Sequence, residues 1–149
     1  NLKLYGSDFN FSRLSVDYMK YFKFREHYLA FNLLGISLIG DAPFNELAFI
    51  GGRDKMRGYY EGRFRDNNLL MAQAEYRKFV YKNWGIVLFG AFGAVAEDYS
   101  DYSFDDIKPS GGFGFRYRFS EKEKLNIRMD VGFGEKGNSG VYLTLGEAF

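Results

Sequence analysis

The fold is decided by the stretch Gly111-Gly112-Phe113-Gly114-Phe115-Arg116-Tyr117-Arg118-Phe119 and by its continuation after one short charged turn. In the first stretch, an aromatic residue at every second position alternates with glycine or arginine. The continuation places Leu125, Ile127, Met129, Val131 and Phe133 in alternation with Asn126, Arg128, Asp130, Gly132 and Gly134. Successive side chains of a β-strand point to opposite faces. The pattern therefore predicts two strands with one large apolar face and one small or charged face.

The same alternation extends to the rest of the chain. The last segment places Val141, Leu143, Leu145 and Phe149 on one face. Earlier strands are predicted at residues 14–24, 29–38, 69–80 and 84–96, with a short first strand from Leu2 to Tyr5. The phase of the alternation slips near Gly35, which predicts a β-bulge there. The expected total is eight strands, an even number.

The polarity of the two faces distinguishes a membrane barrel from a soluble sheet. A soluble sheet usually presents Lys, Glu and Thr to solvent, whereas here the polar face carries Gly, Arg, Asp and Asn. Small residues and paired charges fit the filled interior of a small closed barrel. We therefore expect an all-β, closed antiparallel eight-stranded transmembrane barrel comprising residues 1–149 as one domain, without a periplasmic domain. A soluble lipocalin-like barrel is the alternative. The expected lipid-facing residues are Phe113, Phe115, Tyr117, Phe119, Leu125, Ile127, Met129 and Val131.

The composition agrees with this class. Of 149 residues, 20% are aromatic, 18 are Gly, only 2 are Pro and none is Cys. Mean hydropathy is −0.31, which a barrel tolerates because only every second residue faces lipid. The longest apolar run, residues 85–96, is shorter than the ~20 residues of a spanning helix. A net charge of +1 gives no electrostatic case for nucleic-acid binding.

The predicted connections alternate in length. Those at residues 24–27, 81–83 and 120–124 are short, and those at 6–10, 41–68, 97–108 and 135–139 are longer. Short periplasmic turns opposite longer extracellular loops are typical of outer-membrane barrels. Both termini are then expected in the periplasm, with Tyr28, Tyr81, Trp84 and Phe149 near that interface.

The longest connection carries a recognisable motif. It contains Pro43-Phe44, then Gly51-Gly52, then Met56-Arg57-Gly58-Tyr59, and its apolar residues argue against disorder. In this order the motifs resemble the BamA/TamA (bacterial surface antigen) family of outer-membrane barrels, whose inward-folded loop ends in a (V/I)RG(F/Y) tip. The terminus from Leu143 through Leu145 and Gly146 to Phe149 resembles the family's barrel-insertion signal.

The resemblance implies a loop lock inside the barrel, with Arg57, Gly58 and Tyr59 at the tip. The tip Arg of the family pairs with acidic residues on the next two strands. Glu75, within Ala74-Glu75-Tyr76, matches the first of these. The family's F-x-D-x-G segment reads Phe89-Gly90-Ala91-Phe92-Gly93 here, so the second acid is replaced by Ala91. Family members normally have twice as many strands and periplasmic POTRA domains.

Other candidate sites have simpler interpretations. Arg116, Arg118, Arg128 and Asp130 are expected to pack the lumen rather than form a conduction path. The acidic residues Glu97, Asp98, Asp101, Asp105 and Asp106 could gather Ca²⁺ or Mg²⁺, but such a run is more often a solvated loop. With His27 as the only His and no Cys, no catalytic triad or typical zinc site can be assembled. We expect no catalytic residue, metal or cofactor.

The sequence leaves three functions open. The first is a small outer-membrane barrel of a Gram-negative (diderm) bacterium that serves membrane organisation or homeostasis without an open pore. The second is one half of a larger translocation or insertion barrel, and the third, without catalytic support, is a lipid-acting enzyme. The expected partners are outer-membrane lipid including lipopolysaccharide, the barrel-assembly machinery during insertion, and a second copy of the chain in a homodimer.

Overall fold

A computed structural model describes residues 10–120 and 125–146. Over these residues the chain forms nine strands. They are β1 (Phe11–Phe24), β2 (His27–Gly40), β3 (Ala48–Ile50), β4 (Phe64–Asp66), β5 (Asn68–Tyr81), β6 (Trp84–Ala96), β7 (Lys108–Ser120), β8 (Leu125–Gly134) and β9 (Ser139–Leu145). Seven of them form one antiparallel sheet in the order β1-β2-β5-β6-β7-β8-β9, and β3 pairs with β4 in a separate two-stranded ribbon.

The predicted strands and connections are present wherever the chain is described. Two-residue turns follow β1 and β5, with Arg25 and Lys82 at positive φ. The long connections follow β2 and β6. The predicted first strand, Leu2 to Tyr5, lies outside the described residues, as do Phe149 and most of the turn at 120–124. Within the described residues β1 and β9 do not pair with each other.

The two faces of the sheet differ in what they contact. Residues 41–67, which connect β2 to β5 and contain the β3–β4 ribbon, pack against one face, and we call this the inner face. Arg116, Arg128, Asp130 and Glu75 are buried on it. The opposite, outer face exposes large apolar side chains on every long strand, including Leu33, Leu70, Leu88, Phe92, Phe113, Phe115, Met129, Val141 and Leu143.

The alternation read from β7 and β8 matches the observed exposure. Phe113, Phe115, Ile127 and Met129 are exposed, and Tyr117 and Val131 are partly so. Phe119 is also exposed. The structure describes the backbone of Leu125 but not its side chain. Trp84 packs against Tyr117 at the short-turn end, with tilted rings whose centroids are 4.9 Å apart.

The bulge expected near Gly35 is wrong. The pairings of β2 with β1 and with β5 continue through Gly35 without a register shift. The apparent change of phase arises because β2 is apolar on both faces. Leu34, Ile36 and Leu38 are buried on the inner face, while Leu33 and Ile39 are exposed on the outer face. Register shifts instead occur where β5 meets β6 and where β7 meets β8, close to the short turns.

The core of the molecule lies between the sheet and residues 41–67. Ala48, Ile50, Met56 and Tyr59 from the connection pack against an apolar patch of the inner face formed by Leu34, Ile36, Leu69, Met71 and Ala91. Ala48, Ile50, Met56 and Leu69 have no exposed surface. This packing anchors the connection as a folded element and positions the tip of the loop over the charged part of the inner face.

Candidate functional site: a buried charge cluster around the loop tip

The loop tip is a tight backbone structure. After β3, Gly51 and Gly52 adopt positive φ, and the amide of Gly51 donates to the carbonyl of Lys55 at 3.1 Å. The amide of Gly52 donates to the carbonyl of Tyr59 at 3.0 Å. The chain therefore turns back on itself and places Arg57 and Gly58 at its innermost point.

Two glycines allow the tip to lie directly on β8. Gly58 has φ +116°, and a Cβ there would stand 2.5–2.8 Å from backbone atoms of Phe133. A Cβ on Gly132 would be 2.6 Å from the carbonyl carbon of Arg57 and 2.7 Å from the amide nitrogen of Gly58. Cβ atoms do not approach backbone so closely, so both positions require glycine for this contact. The two glycines set the depth at which Arg57 sits.

Arg57 bridges two carboxylates on different strands. One Nη of Arg57 donates to Oε2 of Glu75 on β5, and the other donates to Oδ2 of Asp130 on β8 at 2.5 Å. The guanidinium also lies 3.6 Å from the ring centroid of Phe89, in a cation–π contact. In a flat sheet β5 and β8 would lie ~14 Å apart. The side chains of Glu75 and Asp130 therefore converge on one guanidinium from strands that are three places apart in the sheet.

Three further arginines surround the same two carboxylates. Arg116 on β7 donates to Asp130 at 2.5 Å and to Glu75 at 3.3 Å. Arg77 donates to Glu75 at 2.6 Å. Nε of Arg128 lies 3.2 Å from Asp130. Glu75 and Asp130 are fully buried, and Arg57, Arg116 and Arg128 are at most 2% exposed.

The charge balance of this cluster depends on a third acid. Four arginines face two buried carboxylates, and Asp54 of the loop adds one more negative charge. Its carboxylate lies 3.3 Å from Arg128, whose same Nη2 also donates to the carbonyl of Arg53 at 2.8 Å. Asp54 is 45% exposed, so this contact joins the buried cluster to solvent. An isolated buried charge is very costly, and the loop supplies both a cation and an anion to the network.

Tyrosine hydroxyls join the tip to the last three strands. Tyr59 donates to the carbonyl of Pro109 at 2.6 Å and accepts from the amide of Glu135 at 2.9 Å. Tyr142 of β9 accepts from the amide of Gly58 at 2.9 Å and donates to the carbonyl of Tyr59 at 3.3 Å. These bonds supply partners for backbone groups of the tip and of the strand ends beside it.

The loop also contacts β5 and β1. Gln73 donates to the side chain of Asn32 and to the carbonyl of Asp54, both at 3.1 Å. Arg13 of β1 donates to the carbonyl of Glu46 at 3.2 Å. Burial lowers the pKa of Lys55 in the loop, and the nearby Arg13 lowers that pKa further. Residues 41–67 thus contact strands from β1 to β9.

The structure places most of the predicted site residues in this cluster. Arg57, Glu75, Gly58, Tyr59, Arg116, Arg128 and Asp130 meet at the loop tip as described above. Arg118 lies closer to the short-turn end of β7, and its guanidinium carbon is 3.9 Å from the ring centroid of Phe79. Leu143 and Leu145 are exposed on the outer face, and Gly146 follows with φ +89°. Phe149 lies outside the described residues.

Some members of the cluster were not assigned from the sequence. Asp130 was expected only as a polar lumen residue, yet it is the second carboxylate that binds Arg57. Ala91, which replaces the family's acid, is buried in the apolar core instead. Arg77, Asp54 and Tyr142 were missed. The inner-face parity of Arg77 and Tyr142 could have indicated them, because each shares a face with a residue that was assigned.

The arrangement fixes the loop rather than presenting a reactive group. Both buried carboxylates are engaged by arginines and shielded from solvent, so neither is positioned to accept a proton from a substrate. Among the described residues, no three His, Asp or Glu side chains are grouped to hold a metal ion, and this includes the acidic residues of 97–106. His27 contacts the hydroxyl of Tyr76 next to the first turn.

Within the described residues, no helix is long and apolar enough to cross a membrane. No family model matches the chain, and no curated protein is significantly similar to it.

Proposed function

We propose that this chain forms the wall of an outer-membrane β-barrel whose lumen is closed by residues 41–67, and that it acts at the membrane surface rather than as a pore or an enzyme. The observation that carries the proposal is the polarity of the sheet. Exposed apolar side chains cover the outer face, while buried arginines and carboxylates occupy the inner face. A soluble monomer rarely exposes so large an apolar surface, whereas a barrel wall requires it.

The loop lock supports a closed lumen. Four arginines and three carboxylates hold the tip against β5, β7 and β8, and an apolar core fills the space toward the loop end. A barrel of eight strands is narrow enough for side chains to fill. Bulk conduction is therefore not expected, and we propose a role in membrane organisation or homeostasis instead.

Membership of the BamA/TamA family is part of the proposal. The Arg57–Glu75 pair corresponds to the lock implied by the Met56-Arg57-Gly58-Tyr59 motif. Asp130 takes the place of the acid that is absent at Ala91, since it is the second carboxylate that binds Arg57. Leu143, Leu145 and Gly146 then belong to the insertion signal that the barrel-assembly machinery would bind.

A second candidate, a wall segment of a larger barrel, is favoured by β1. All of its residues from Ser12 to Phe24 are exposed, on both faces. Arg13, Asp17 and Lys23 share the inner-face side with Met19 and Tyr21. In a narrow, filled barrel this side would be buried. A wider lumen, completed by a second copy or by further strands, would leave it open to water.

One reconstitution experiment tests the proposal. The purified chain is refolded into detergent and vesicles, and its gel mobility with and without heating is compared with its circular dichroism. We expect heat-modifiable migration, β-type spectra that require detergent or lipid, and no large steady conductance in planar bilayers. A folded monomer in buffer without detergent contradicts the barrel.

The same preparation distinguishes the two candidates. Native mass spectrometry gives the number of chains in each barrel, and single cysteines at Val16 on β1 and Leu143 on β9 report contacts between chains. One chain without crosslinks supports the small barrel. Two chains crosslinked from β1 to β9, or porin-like currents, support the larger barrel.

A further inference from the structure

The outer face carries a groove near its loop end. Its floor is formed by β2, β5 and β6, one wall by β1, and the other by residues 97–107, which connect β6 to β7 and which we call the acidic loop. The volume of the groove is about 810 Å³, within the range of small-molecule sites. We call it the outer groove.

Small side chains create the floor. Gly35 and Ala94 flank Leu70 across the sheet, and Ala72 lies next to Phe92. The wall on β1 is higher because it consists of Leu14, Val16 and Tyr18, all exposed. The floor is thus lower than the rest of an outer face that is otherwise covered by large residues.

The acidic loop overhangs this floor. Ser37, Ala94 and Ala96 belong to the outer face by register, yet each is at most 7% exposed. Tyr102 and Ile107 of the loop line the groove. Burial raises the pKa of Tyr102, which agrees with a hydroxyl in apolar surroundings. Phe104 is 92% exposed at the edge of the overhang.

The lining selects for hydrocarbon. None of the side chains that line the outer groove is charged, and the polar ones are hydroxyls. Charge is concentrated instead on the acidic loop, whose carboxylates are exposed and belong to Glu97, Asp98, Asp101, Asp105 and Asp106. A phosphate-rich headgroup would be repelled there, whereas an ammonium group would be attracted.

We propose that the outer groove binds an acyl chain of an amine-bearing phospholipid, with the ammonium group of that lipid beside the carboxylates of the acidic loop. The inference rests on the proposed function, because the groove meets lipid chains only if the outer face lies in a bilayer. It adds a specific lipid site to the general contact of a barrel wall with its surroundings.

Retention of lipid by the full chain tests this proposal. Protein refolded in detergent is exposed to equal amounts of phosphatidylethanolamine and phosphatidylglycerol, washed, and analysed by native mass spectrometry. The wild type should retain one phosphatidylethanolamine preferentially. In Ala72→Trp the new side chain fills the floor of the groove and displaces part of the acyl chain. Lipid retention should fall about tenfold, because the acyl chain then buries about two fewer methylenes. Ala74→Trp, on the same face and strand but outside the groove, should retain lipid like the wild type.

The charge of the acidic loop is tested separately. Asp105→Asn combined with Asp106→Asn should remove the preference for phosphatidylethanolamine. The acyl chain of a lipid should still bind in the outer groove of this double variant. Equal retention by Ala72→Trp and Ala74→Trp overturns the groove site. Preferential retention of phosphatidylglycerol, lost when a chelator is added, would overturn the proposed ammonium contact. It would show that a divalent cation joins an anionic headgroup to the carboxylates of the acidic loop. If the wild type inserts into vesicles but retains no lipid, only the proposed lipid site is contradicted. If the wild type does not insert, the proposed function is contradicted as well.

Discussion

Replacing Glu75 with Gln should strongly destabilise the protein, because Glu75 is the carboxylate that most arginines share. It is fully buried and contacts Arg57, Arg77 at 2.6 Å and Arg116 at 3.3 Å. Glutamine has nearly the same shape, but its NH₂ group would face a guanidinium. Breaking a buried pair from one side costs about 3–5 kcal/mol, and we expect a loss of unfolding free energy in this range.

The loss can be measured by reversible urea unfolding in lipid vesicles, followed by the fluorescence of Trp84, the only tryptophan. Asp101→Asn is the matched control. It removes a carboxylate from the exposed acidic loop, so its effect should stay within about 0.5 kcal/mol. The double variant Arg57→Gln with Glu75→Gln should be more stable than the summed single effects predict, since contacting residues couple by about 0.5–3 kcal/mol.

The opposite outcome is that Glu75→Gln unfolds at the same urea concentration and with the same slope as Asp101→Asn. That result would mean that solvent reaches the cluster, so that the contacts are ordinary screened ion pairs worth ~0–1 kcal/mol. A lowered stability without coupling between Arg57 and Glu75 would assign the loss to Arg77 and Arg116 instead of the loop tip.

Three further variants probe the loop. Gly132→Ala should cost about 1–3 kcal/mol by overpacking against the tip, whereas Gly90→Ala, where the nearest atom to a new Cβ is 3.9 Å away, should be close to neutral in the same urea assay. Tyr59→Phe leaves a carbonyl and an amide without partners and should cost about 1–3 kcal/mol; an unchanged midpoint would count against its bridging role. Lys55 has a lowered pKa, so the unfolded state binds its proton more tightly. Lys55→Met should therefore be the more stable form at neutral pH, and its advantage should vanish above the ordinary lysine pKa of ~10.4; an advantage independent of pH would indicate a packing effect.

The sequence was sufficient for the faces of the late strands. Along β7 and β8 the two faces differ completely in composition, so period two assigns Phe115 and Met129 to one side and Arg116 and Asp130 to the other. The same reading of alternation wrongly predicted a β-bulge at Gly35 in β2. Its inner face packs against the loop and its outer face is also apolar, and alternation cannot be read from a strand that is apolar on both faces.

The contacts of the cluster were harder to predict than its members. Arg57 and Asp130 are 73 positions apart, and they meet because the glycines at 58 and 132 let the tip lie directly on β8. Strand register and the position of the loop are properties of the assembled sheet. For the same reason, the exposure of β1 on both faces has no sign in its sequence, which alternates like that of the other strands.

A nitroxide scan of β6 can determine whether the outer face lies in lipid, as the proposed barrel requires. The chain has no cysteine, so labels can be placed singly at residues 86 to 92 without removing native thiols. In vesicles, labels at Ile86, Leu88 and Phe92 should be accessible to oxygen, which concentrates in lipid, and inaccessible to a water-soluble nickel complex. Labels at Val87 and Ala91 should be inaccessible to both. High nickel accessibility at Ile86, Leu88 and Phe92 would show that this face is in water and that the sheet is not the wall of a membrane barrel.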